Sequence, residues 1–334
     1  MRRRASRMNK KAILVTGANG FLGRTILVQL QRNGFTVCAT DMGSASATAG
    51  IAYQKADITR PAELMDVMGG ASVAIHAAGL AHIFTPGAGS DEKFRQINEI
   101  GTENVARAAA LAGVGHLILI SSVSVYGPYT LGLYDENTPC RPVGPYPRSK
   151  FHAELRTIEI ADKSGMALTI LRLATLYGEG APGNVGRLIR SLDTGRFVRI
   201  GDGRNRKSLL YKEDAARACV TVASSPAAGT HIYNVSAPLC TMREIVDAIA
   251  DALGKRPLPL RIPGRLALAL SRNLSRLPNR RLAGIHQTVK KWMAEDVYDS
   301  QLFNRTFDFS VQTSIKEGIR KEVDWYRINV GMVG

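Results

Sequence analysis

The segment ILVTGANGFLGR, residues 13–24, constrains the fold more than any other part of the chain. A short apolar run leads into three glycines spaced three residues apart, Gly17, Gly20 and Gly23, and an amphipathic pattern follows at 21–32. A strand, a glycine turn and a helix in this order aim the unpaired N–H groups of the helix N-terminus at whatever lies above the turn. Glycines allow the tight turn and the close approach of a diphosphate. The segment therefore predicts the first unit of a parallel sheet, with an anion site at its edge.

Strand and helix patterns alternate through the first half of the chain. Apolar runs lie at 12–16, 35–39, 73–77, 116–121 and 167–171, and helical patterns at 21–32, 61–68, 92–113 and 148–164. Strands that alternate with helices of this length indicate a parallel sheet with right-handed crossovers. We predict an α/β fold with a doubly wound parallel sheet, whose ligand edge lies at the carboxyl ends of the strands.

The alternation ends after about residue 176, where glycine and proline become frequent. We interpret residues 12–175 as a nucleotide-binding domain and residues 176–334 as a smaller, mixed C-terminal lobe that binds the substrate. A short strand pattern at 231–235 is a candidate to return to the main sheet. The basic segment MRRRASRMNKK, residues 1–11, is expected to be a disordered arm.

The net charge of +16 favours an anionic partner. Nucleic acid, an anionic membrane and a diphosphate substrate all fit this charge, although an arginine-rich genome would explain part of it. No interleaving of aromatic and basic residues supports nucleic acid. We therefore expect a diphosphate-linked substrate and no nucleic-acid partner.

The chain carries no pattern for a membrane span, a secretory signal or a metal site. It has no run of 18 apolar residues, and its basic start lacks an apolar core. The four cysteines, Cys38, Cys140, Cys219 and Cys240, are scattered, with no CxxC and no histidine cluster. We expect reduced thiols, no metal and a cytoplasmic location.

An acidic residue at the end of the second strand favours NAD over NADP. Asp41 follows Gly17 by 24 residues, and its carboxylate can accept hydrogen bonds from an adenosine ribose. The same carboxylate would repel a 2′-phosphate, and residues 42–47 contain no arginine. Arg24, in the first turn of the predicted helix, is the signal against this choice because it could reach a phosphate.

Two further strand ends fall at the same edge of the predicted sheet. Asp57-Ile58 follows the third strand and the IHAAG segment, residues 75–79, ends the fourth. Each motif alone is compatible with an ordinary loop, but their joint order along the chain indicates a dinucleotide site. The candidate cofactor contacts are Gly17, Asn19, Gly20, Phe21, Leu22, Gly23, Asp41, Asp57, Ile58, Ala77, Ala78, Gly79 and Lys150.

The YPRSK segment predicts an acid–base pair. Tyr146 and Lys150 are four residues apart and share one face of a helix, and Pro147 requires that they lie in its first turns. The ammonium is expected to lower the phenol pKa toward neutrality, which would make Tyr146 a proton acceptor. Ser122 emerges at the same edge from SSVSVYG, where Ser121 and Ser124 are the competing hydroxyls. The candidate catalytic residues are Ser122, Tyr146 and Lys150.

With these motifs in place, the sequence resembles the extended short-chain dehydrogenase/reductases. The resemblance rests on TGANGFLG, Asp41, Asp57-Ile58, NEIGTENVARAA (98–109), SSVSVYG, YPRSK and LRLATLYG (171–178), and it covers residues 12–235. It implies a Rossmann-type fold, a nicotinamide cofactor and a Ser-Tyr-Lys set that falls on the three residues above. It also makes Asn98 a structural asparagine and suggests a homodimer paired through the helices at 92–113 and 148–164.

Four reactions of this family compete. Sugar 4,6-dehydratases carry an Asp-Glu pair after the catalytic hydroxyl, but Val123 and Ser124 stand here, so elimination is not expected. Sugar ketoreductases usually use NADPH, which Asp41 disfavours. Steroid-type dehydrogenases should have an apolar pocket and no cationic clamp. The fourth reaction is sugar 4-epimerisation.

A clamp for a diphosphate is predicted in GDGRNRKSLLYKED, residues 201–214. This segment resembles the one with which nucleotide-sugar epimerases bind diphosphate, with Lys207 where arginine is usual and Arg206 beside it. A solvated basic loop is the alternative interpretation of the same residues.

The sugar contacts must differ from those of many epimerases, because Ala174 or Thr175 stands where asparagine is usual. Asn184 and Arg187, in APGNVGRLIRSL, are the candidate substitutes. The candidate substrate contacts are Ser122, Ser124, Tyr146, Asn184, Arg187, Arg206 and Lys207.

We interpret the chain as an NAD-dependent 4-epimerase of a diphosphate-linked hexose or N-acetylhexosamine. The alternatives are an NAD(P)-dependent nucleotide-4-keto-sugar reductase and a cofactor-sensing binding protein without turnover. Some stretches also resemble epimerases of polyprenyl-diphosphate-linked N-acetylhexosamine.

A basic helix pattern at 264–277 bears on how a lipid-linked substrate would arrive. It has Leu266, Leu270, Leu274 and Leu277 on one side and arginines on the other. Such a helix suits peripheral contact with the anionic inner membrane surface. A surface helix whose leucines pack on the lobe is the other interpretation.

Overall fold

The computed structural model describes residues 12–81, 89–128, 130, 132–255, 261–276 and 285–330. The strands are β1 (Ala12–Thr16), β2 (Thr36–Asp41), β3 (Ala52–Lys55), β4 (Val73–His76), β5 (His116–Ser122), β6 (Ala167–Leu173), β7 (Thr175–Tyr177), β8 (Arg199–Ile200), β9 (Arg206–Lys207), β10 (Leu209–Tyr211), β11 (Thr230–Val235), β12 (Cys240–Thr241) and β13 (Arg261–Ile262). The predicted arm at 1–11 and the predicted Leu277 lie outside the described residues.

Helices follow most of the strands. They are α1 (Phe21–Arg32), α2 (Pro61–Met68), α3 (Ser90–Phe94), α4 (Gly101–Leu111), α5 (Pro145–Ser164), α6 (Asn184–Asp193), α7 (Lys212–Ser224), α8 (Met242–Leu253), α9 (Gly264–Leu274), α10 (Ile285–Met293), α11 (Gln301–Phe307) and α12 (Ile315–Asn329). A π-helical turn, Arg95–Ile100, joins α3 to α4, and a 3₁₀ turn, Val123–Tyr126, follows β5. Within the described ranges, no helix is long and apolar enough to cross a membrane.

Seven parallel strands form the main sheet in the order β11-β6-β5-β4-β1-β2-β3. The winding direction reverses between β1 and β4, and a crevice opens at the carboxyl ends of two such strands. The predicted doubly wound α/β fold is confirmed, and β11 returns to the sheet beside β6. The predicted glycine turn therefore lies at the switch point.

Alternating side chains of each strand build two cores on opposite faces of the sheet. Ile13 and Val15 of β1 pack in the core that includes α1 and α7, while Leu14 packs in the core that includes α2, α4 and α5. This alternation explains why an almost continuous apolar strand is needed, since both of its faces are covered.

The C-terminal lobe has its own core, made chiefly by α6, α8 and α12 around Tyr177 and Tyr211. Three two-stranded sheets, β7–β10, β9–β12 and β8–β13, lie in this part of the chain. The chain also returns to the sheet: α7 packs on α1, and Phe303 and Phe309 join the same core. Neither the core of this lobe nor the core beneath α1 and α7 is therefore built from one continuous stretch of the chain.

The helix predicted at 92–113 is wrong in one respect, because the π-helical turn divides it. Asn98 lies in this turn, almost fully buried at 1% exposure. Its amide accepts a hydrogen bond from the Leu80 N–H at 2.7 Å and donates one to the Leu80 carbonyl at 2.9 Å. The extra residue per turn brings the amide to the loop after β4.

Glu322, on α12, is the buried acid of the C-terminal lobe. It is 2% exposed, and its carboxylate accepts a hydrogen bond from the Gly178 N–H at 2.9 Å. Burial, assisted by the nearby Glu179 carboxylate, raises the pKa of Glu322 to about 8. The folded protein therefore holds a proton here that an unfolded chain releases at a pKa of about 4.3.

Glu322→Gln should flatten the pH dependence of stability. Because the folded pKa of Glu322 lies above the unfolded one, the native state binds more protons between about pH 4.3 and 8. The wild-type free energy of unfolding should fall as pH rises through this window, and the variant should lose that part of the slope. Urea denaturation at pH 5, 6.5 and 8 measures both slopes. Parallel slopes for the two proteins would contradict the assignment.

Candidate active site

The turn after β1 forms a cradle that only glycine can line. Gly17 has φ +69°, and a Cβ there would overlap the backbone N of Ala78, at the end of β4. A Cβ at Gly23 would overlap the Gly17 carbonyl. The N-cap of α1, Gly20, has no side-chain capping bond, and the first turn carries no acidic residue. The positive end of the helix is left unneutralised, and a diphosphate fits these features.

Asp41 lies at the end of β2 and faces the glycine turn. Its two carboxylate oxygens accept backbone N–H groups of Asn19 at 2.9 Å and Met42 at 2.7 Å. The Asn19 side chain instead orders the following loop, donating to the Ala45 carbonyl at 2.9 Å and accepting the Ala47 N–H at 2.8 Å. Asp41 is thereby fixed at the predicted ribose position, and Asn19 contributes its backbone there.

The other predicted cofactor contacts lie at the ends of β3 and β4. Asp57 is engaged locally, accepting the Thr59 N–H at 2.9 Å and the Thr59 hydroxyl at 2.8 Å. Ile58 is buried beside Gly101. Ala77 and Ala78 continue β4 directly beside the Gly17 turn. The roles of these residues toward a cofactor stay predictions, as do those of Phe21, Leu22 and Gly79.

A buried histidine connects the two central strands below this edge. His76 contacts the Thr16 hydroxyl through Nδ1 at 2.6 Å and the Thr102 hydroxyl through Nε2 at 2.9 Å. Burial, with the nearby Lys150 charge, lowers the pKa of His76 to about 3. This imidazole is therefore neutral at physiological pH and holds β1, β4 and α4 together.

The predicted catalytic side chains meet where β5 and α5 approach each other. The Ser122 hydroxyl lies next to the Tyr146 phenol, and the ring of Phe94 lies 5.9 Å from the Tyr146 ring. Lys150, buried on the same helix face, donates to the Ile120 carbonyl at 2.6 Å. The three candidate catalytic residues are therefore brought together from two elements.

The start of α5 fixes Tyr146 in place. The helix begins at Pro145, so the two prolines of the segment fall in its first turn, where a missing N–H costs nothing. Ser149 donates to the Tyr146 carbonyl at 2.9 Å and accepts the Asn98 amide at 3.0 Å. Asn98 thus connects the loop after β4 to the turn that carries the phenol.

The expected lowering of the Tyr146 pKa by Lys150 is wrong for this structure. Burial raises the pKa of Tyr146, and the hydrogen bond with Ser122 opposes this only in part. The Lys150 ammonium is directed at the Ile120 carbonyl, and burial lowers its own pKa to about 8, although Glu154 opposes the shift. Sequence spacing placed the ammonium on the correct face but could not show which acceptor it meets.

The competing hydroxyls of SSVSVYG differ in their surroundings. Ser121 donates to the carboxylate of Glu154 and is structural. The Ser124 N–H donates to the Ser122 hydroxyl at 3.2 Å, while the buried Ser124 hydroxyl has no partner in the part of the chain that the structure describes. A buried hydroxyl without a partner is costly. Of Ser121 and Ser124, the environment therefore favours Ser124 as the substrate contact. This role stays a prediction.

A buried charge cluster behind Lys150 was missed by the sequence interpretation. Glu154 and Arg172, both nearly inaccessible, form an ion pair at 2.7 Å, and Arg172 also donates to the Tyr126 hydroxyl at 2.9 Å. The Tyr126 hydroxyl donates to Asn234 of β11 at 2.9 Å. The signal was available, since an arginine inside an apolar strand and a glutamate four residues after Lys150 both require partners.

The predicted sugar contacts lie at the start of α6. This helix begins at Asn184, and both Asn184 and Arg187 are exposed on it. Their roles toward a substrate stay predictions.

The two basic side chains predicted to bind a diphosphate instead make contacts within the protein. Lys207 is 6% exposed, and its ammonium donates to the carbonyls of Lys291 at 2.9 Å and Ala294 at 2.7 Å, at the end of α10. Arg206 pairs with Glu295 at 2.8 Å. A cation beside the last carbonyls of a helix stabilises its negative end. The geometry therefore assigns Lys207 a structural role that its sequence position did not reveal.

A family model confirms what these motifs predicted. The model of the NAD dependent epimerase/dehydratase family matches residues 13–236. The chain belongs to this family. The predicted membership of the extended short-chain dehydrogenase/reductases is thereby confirmed.

Three curated relatives are similar over different lengths. A 2-alkyl-3-oxoalkanoate reductase from Stenotrophomonas maltophilia (strain K279a) is 29% identical, covering 92% of this chain and 97% of the relative. A UDP-glucose 4-epimerase from Mycolicibacterium smegmatis (strain ATCC 700084 / mc(2)155) is 30% identical, covering 94% and 98%. An N-acetyl-alpha-D-glucosaminyl-diphospho-ditrans,octacis-undecaprenol 4-epimerase from Escherichia coli O157:H7 is 32% identical, covering 62% and 64%.

One solved structure is similar over nearly the whole chain. MoeE5 in complex with UDP-glucuronic acid and NAD has a TM-score of 0.77 and 25% identity, covering 96% of this chain and 100% of that one. The family is NAD-dependent, and NAD is the cofactor. The predicted choice of NAD is confirmed, and Arg24, exposed on the first turn of α1, does not overturn it. Within the described ranges, no cluster of histidine, cysteine or acidic side chains could hold a metal ion.

Asp41→Ala should weaken NAD binding and narrow the preference for NAD over NADP. The variant loses the carboxylate that is predicted to accept ribose hydrogen bonds and to repel a 2′-phosphate. Fluorescence titration with NADH and NADPH measures both affinities. The matched control is Asp66→Ala, which removes an equal charge from an exposed position on α2 and should change neither. A wild type that binds NADPH more tightly would contradict the role of Asp41.

Lys207→Met should destabilise the fold by about 1.5–3 kcal/mol, because two buried carbonyls lose a charged donor. Arg206→Gln, which removes an exposed ion pair, should cost less than about 1 kcal/mol. Urea denaturation of both variants tests the difference. If Lys207 instead binds a diphosphate, the methionine variant will raise KM and leave the free energy of unfolding unchanged.

Proposed function

We propose that this protein is an NAD-dependent 4-epimerase of a diphosphate-linked hexose or N-acetylhexosamine. The observation that carries the proposal is the convergence of Ser122, Tyr146 and Lys150 at the sheet edge that also holds the glycine cradle. The epimerase names of two relatives support the choice of reaction.

Oxidation of the C4 hydroxyl removes one proton from oxygen and one hydride from carbon. When bound, NAD would supply the hydride acceptor for the oxidation and, once reduced, the hydride donor for the reduction. Tyr146 takes the hydroxyl proton and gives it back when the ketone is reduced on its other face. Ser122, whose hydroxyl lies next to the phenol, holds the substrate oxygen and the Tyr146 oxygen in line. The sum of the two half-reactions inverts C4 with no net redox change.

The Lys150 ammonium is the proposed source of positive charge for this centre. It is fixed by the Ile120 carbonyl and by the helix that also carries Tyr146. Charge near the phenol favours the phenolate, so a substrate or cofactor that draws the ammonium toward the phenol strengthens the base. In this proposal Lys150 positions and polarises the Tyr146 phenol, and Tyr146 carries the proton.

Elimination of water has little support. The turn after Ser122 contains Val123 and Ser124 where the sugar 4,6-dehydratases carry Asp and Glu, and Val123 is 5% exposed. No carboxylate is thus available in the 3₁₀ turn to act as the acid or the base of a dehydration. The same turn leaves room for a hydroxyl contact from Ser124.

The carrier of the sugar is either UDP or a polyprenyl diphosphate. The names of the two epimerase relatives support one carrier each. We favour the lipid carrier for this basic chain, and we expect a cytoplasmic enzyme that works at the inner membrane surface.

The protein is proposed to act as a homodimer. Helices α4 and α5 pack side by side, and each presents an exposed leucine, Leu111 and Leu155. Pairing with the same helices of a second copy would cover both side chains.

An NAD(P)-dependent reductase is the second candidate, favoured by two observations. The Stenotrophomonas relative, which this chain matches over 97% of the relative's length, is named a reductase. Arg206 and Lys207, the predicted clamp, are engaged by the protein itself. A cofactor-sensing protein without turnover is the third candidate, and the intact catalytic trio argues against it.

Tyr146→Phe should abolish turnover and leave NAD binding intact, because only the proton acceptor is lost. The expected loss is about 10²–10⁴-fold. The assay follows conversion of UDP-glucose, UDP-N-acetylglucosamine and polyprenyl-diphosphate-linked N-acetylglucosamine to their 4-epimers, without added nucleotide. A variant that keeps more than about a tenth of the wild-type rate would contradict the role of Tyr146.

The nucleotide released on denaturing the wild-type enzyme separates the candidates. An epimerase should release NAD and show no net NADH formation during turnover. A reductase should consume one equivalent of NADH or NADPH per product. No turnover with any of these sugars, with NAD bound, would favour the sensing protein.

A further inference from the structure

Helices α9 and α10 form an antiparallel pair on the outside of the C-terminal lobe. Gly264, at the start of α9, lies so close to Met293, at the end of α10, that a Cβ there would overlap its side chain. At the other end, the Ser271 hydroxyl bonds His286 Nδ1 at 2.9 Å. The inward side chains of α9 are the small ones, Ala267 and Ser271, which are 5% and 3% exposed.

The leucines of α9 are only partly covered by the rest of the protein. Leu266, Leu270 and Leu274 are 50%, 47% and 37% exposed. Their spacing of four residues places them along one flank of the helix. The interpretation of α9 as a surface helix whose leucines pack on the lobe therefore holds only in part, because each of these three residues stays 37–50% exposed.

The surroundings of this apolar flank are strongly basic. Residues 252–294 contain ten Lys and Arg and no Asp or Glu. Arg265, Arg272 and Arg276 are exposed on α9 and just beyond its end, away from the leucines. Burial, with smaller contributions from the Lys290 and Arg272 charges, lowers the pKa of His286.

Both ends of the helix pair are fastened to the predicted substrate segment. The chain enters α9 from β13, which pairs with β8 in the register Ile262 to Ile200. It leaves α10 under the Lys207 ammonium and the Asn205 amide, which donates to the Trp292 carbonyl at 2.8 Å. The pair is thus held at a fixed orientation against residues 199–207.

We propose that α9 and α10 form the surface with which this protein docks on an anionic lipid bilayer. The leucines enter the acyl boundary, and the arginines meet the phosphate headgroups. A substrate on a lipid carrier would then arrive beside the lobe that binds it, a consequence that rests on the proposed function.

The charge of this surface favours a bilayer over a second copy of the chain or a nucleic acid as its partner. A second copy of the chain would bring the exposed Arg265, Arg272 and Arg276 against the same three arginines, which opposes association. Nucleic acid would use the arginines and leave the row of leucines exposed. A planar anionic surface with an apolar interior matches both flanks of α9 at once.

The test is sedimentation of the full-length protein with vesicles of phosphatidylglycerol and phosphatidylcholine, against vesicles of phosphatidylcholine alone. Wild type should bind the anionic vesicles, more weakly at high salt, and should not bind the neutral ones. Leu270→Ser should weaken partition about tenfold, since docking would bury only the exposed half of this leucine.

A matched control is available on α11. Leu302→Ser removes a leucine that is 49% exposed, against 47% for Leu270, so exposure is equal and only the location differs. It should leave vesicle binding unchanged. Both leucines are half exposed, so neither substitution opens a cavity in the core. Melting temperatures of the two variants check this directly.

Several outcomes would overturn the docking surface. Absence of binding at low salt, equal effects of Leu270→Ser and Leu302→Ser, or equal binding to neutral vesicles would each do so. A lipid-free oligomer that Leu270→Ser alone dissociates would make this face a subunit interface instead. Turnover of soluble UDP-sugar should be the same in both variants, so failure of docking is separable from failure of the proposed reaction.

Discussion

The close contact between the turn after β1 and the end of β4 is the constraint on which the rest of the structure depends. Gly17 approaches the backbone of Ala78 so closely that no side chain fits between them. This contact occurs where the winding of the sheet reverses, which is the place where an α/β sheet opens a crevice. Asp41, the N-terminus of α1 and the end of β4 then surround one volume, and Ser122 on β5 lies at the same edge. The predicted cofactor site and the predicted reacting centre are therefore neighbours because the sheet has this strand order.

Charged side chains in the interior hold the parts of the site in register. Arg172 and Glu154 join β6 to α5 behind Lys150, and Tyr126 extends the same chain of bonds to β11. Such buried charges are tolerable only when each has several partners. Truncating one member would leave the others unpaired, so the cluster ties the position of α5 to the far edge of the sheet. Lys207 does the same for the C-terminal lobe by binding the end of α10.

Sequence reasoning predicted the main sheet well because its strands are buried on both faces. An apolar run such as Ile13–Val15 followed by a periodic helix leaves few other structures, and α1 has the predicted bounds. The catalytic trio was also accessible, since helix spacing fixes which side chains share a face. The hydrogen-bond partners of these side chains could not be predicted from the sequence. Lys207 and Lys150 are both basic residues in a motif, and only the folded chain shows that each ammonium meets backbone carbonyls. Tertiary contacts, which pattern does not encode, decided those two cases.

The π-helical turn before α4 has a consequence for how this chain can vary in length. An α-helix advances about 100° per residue, so removing one residue from Arg95–Ile100 would restore regular winding and rotate everything on one side of it by roughly that angle. Asn98 would turn away from Leu80, or Val105 would leave the core that it fills beside α2 and α5. Each element flanking the turn is held by its own contacts, α3 through Phe94 against Tyr146 and α4 through the sheet. A one-residue deletion here should therefore be far less tolerable than one in the exposed loop at 42–47, although neither segment carries a catalytic group.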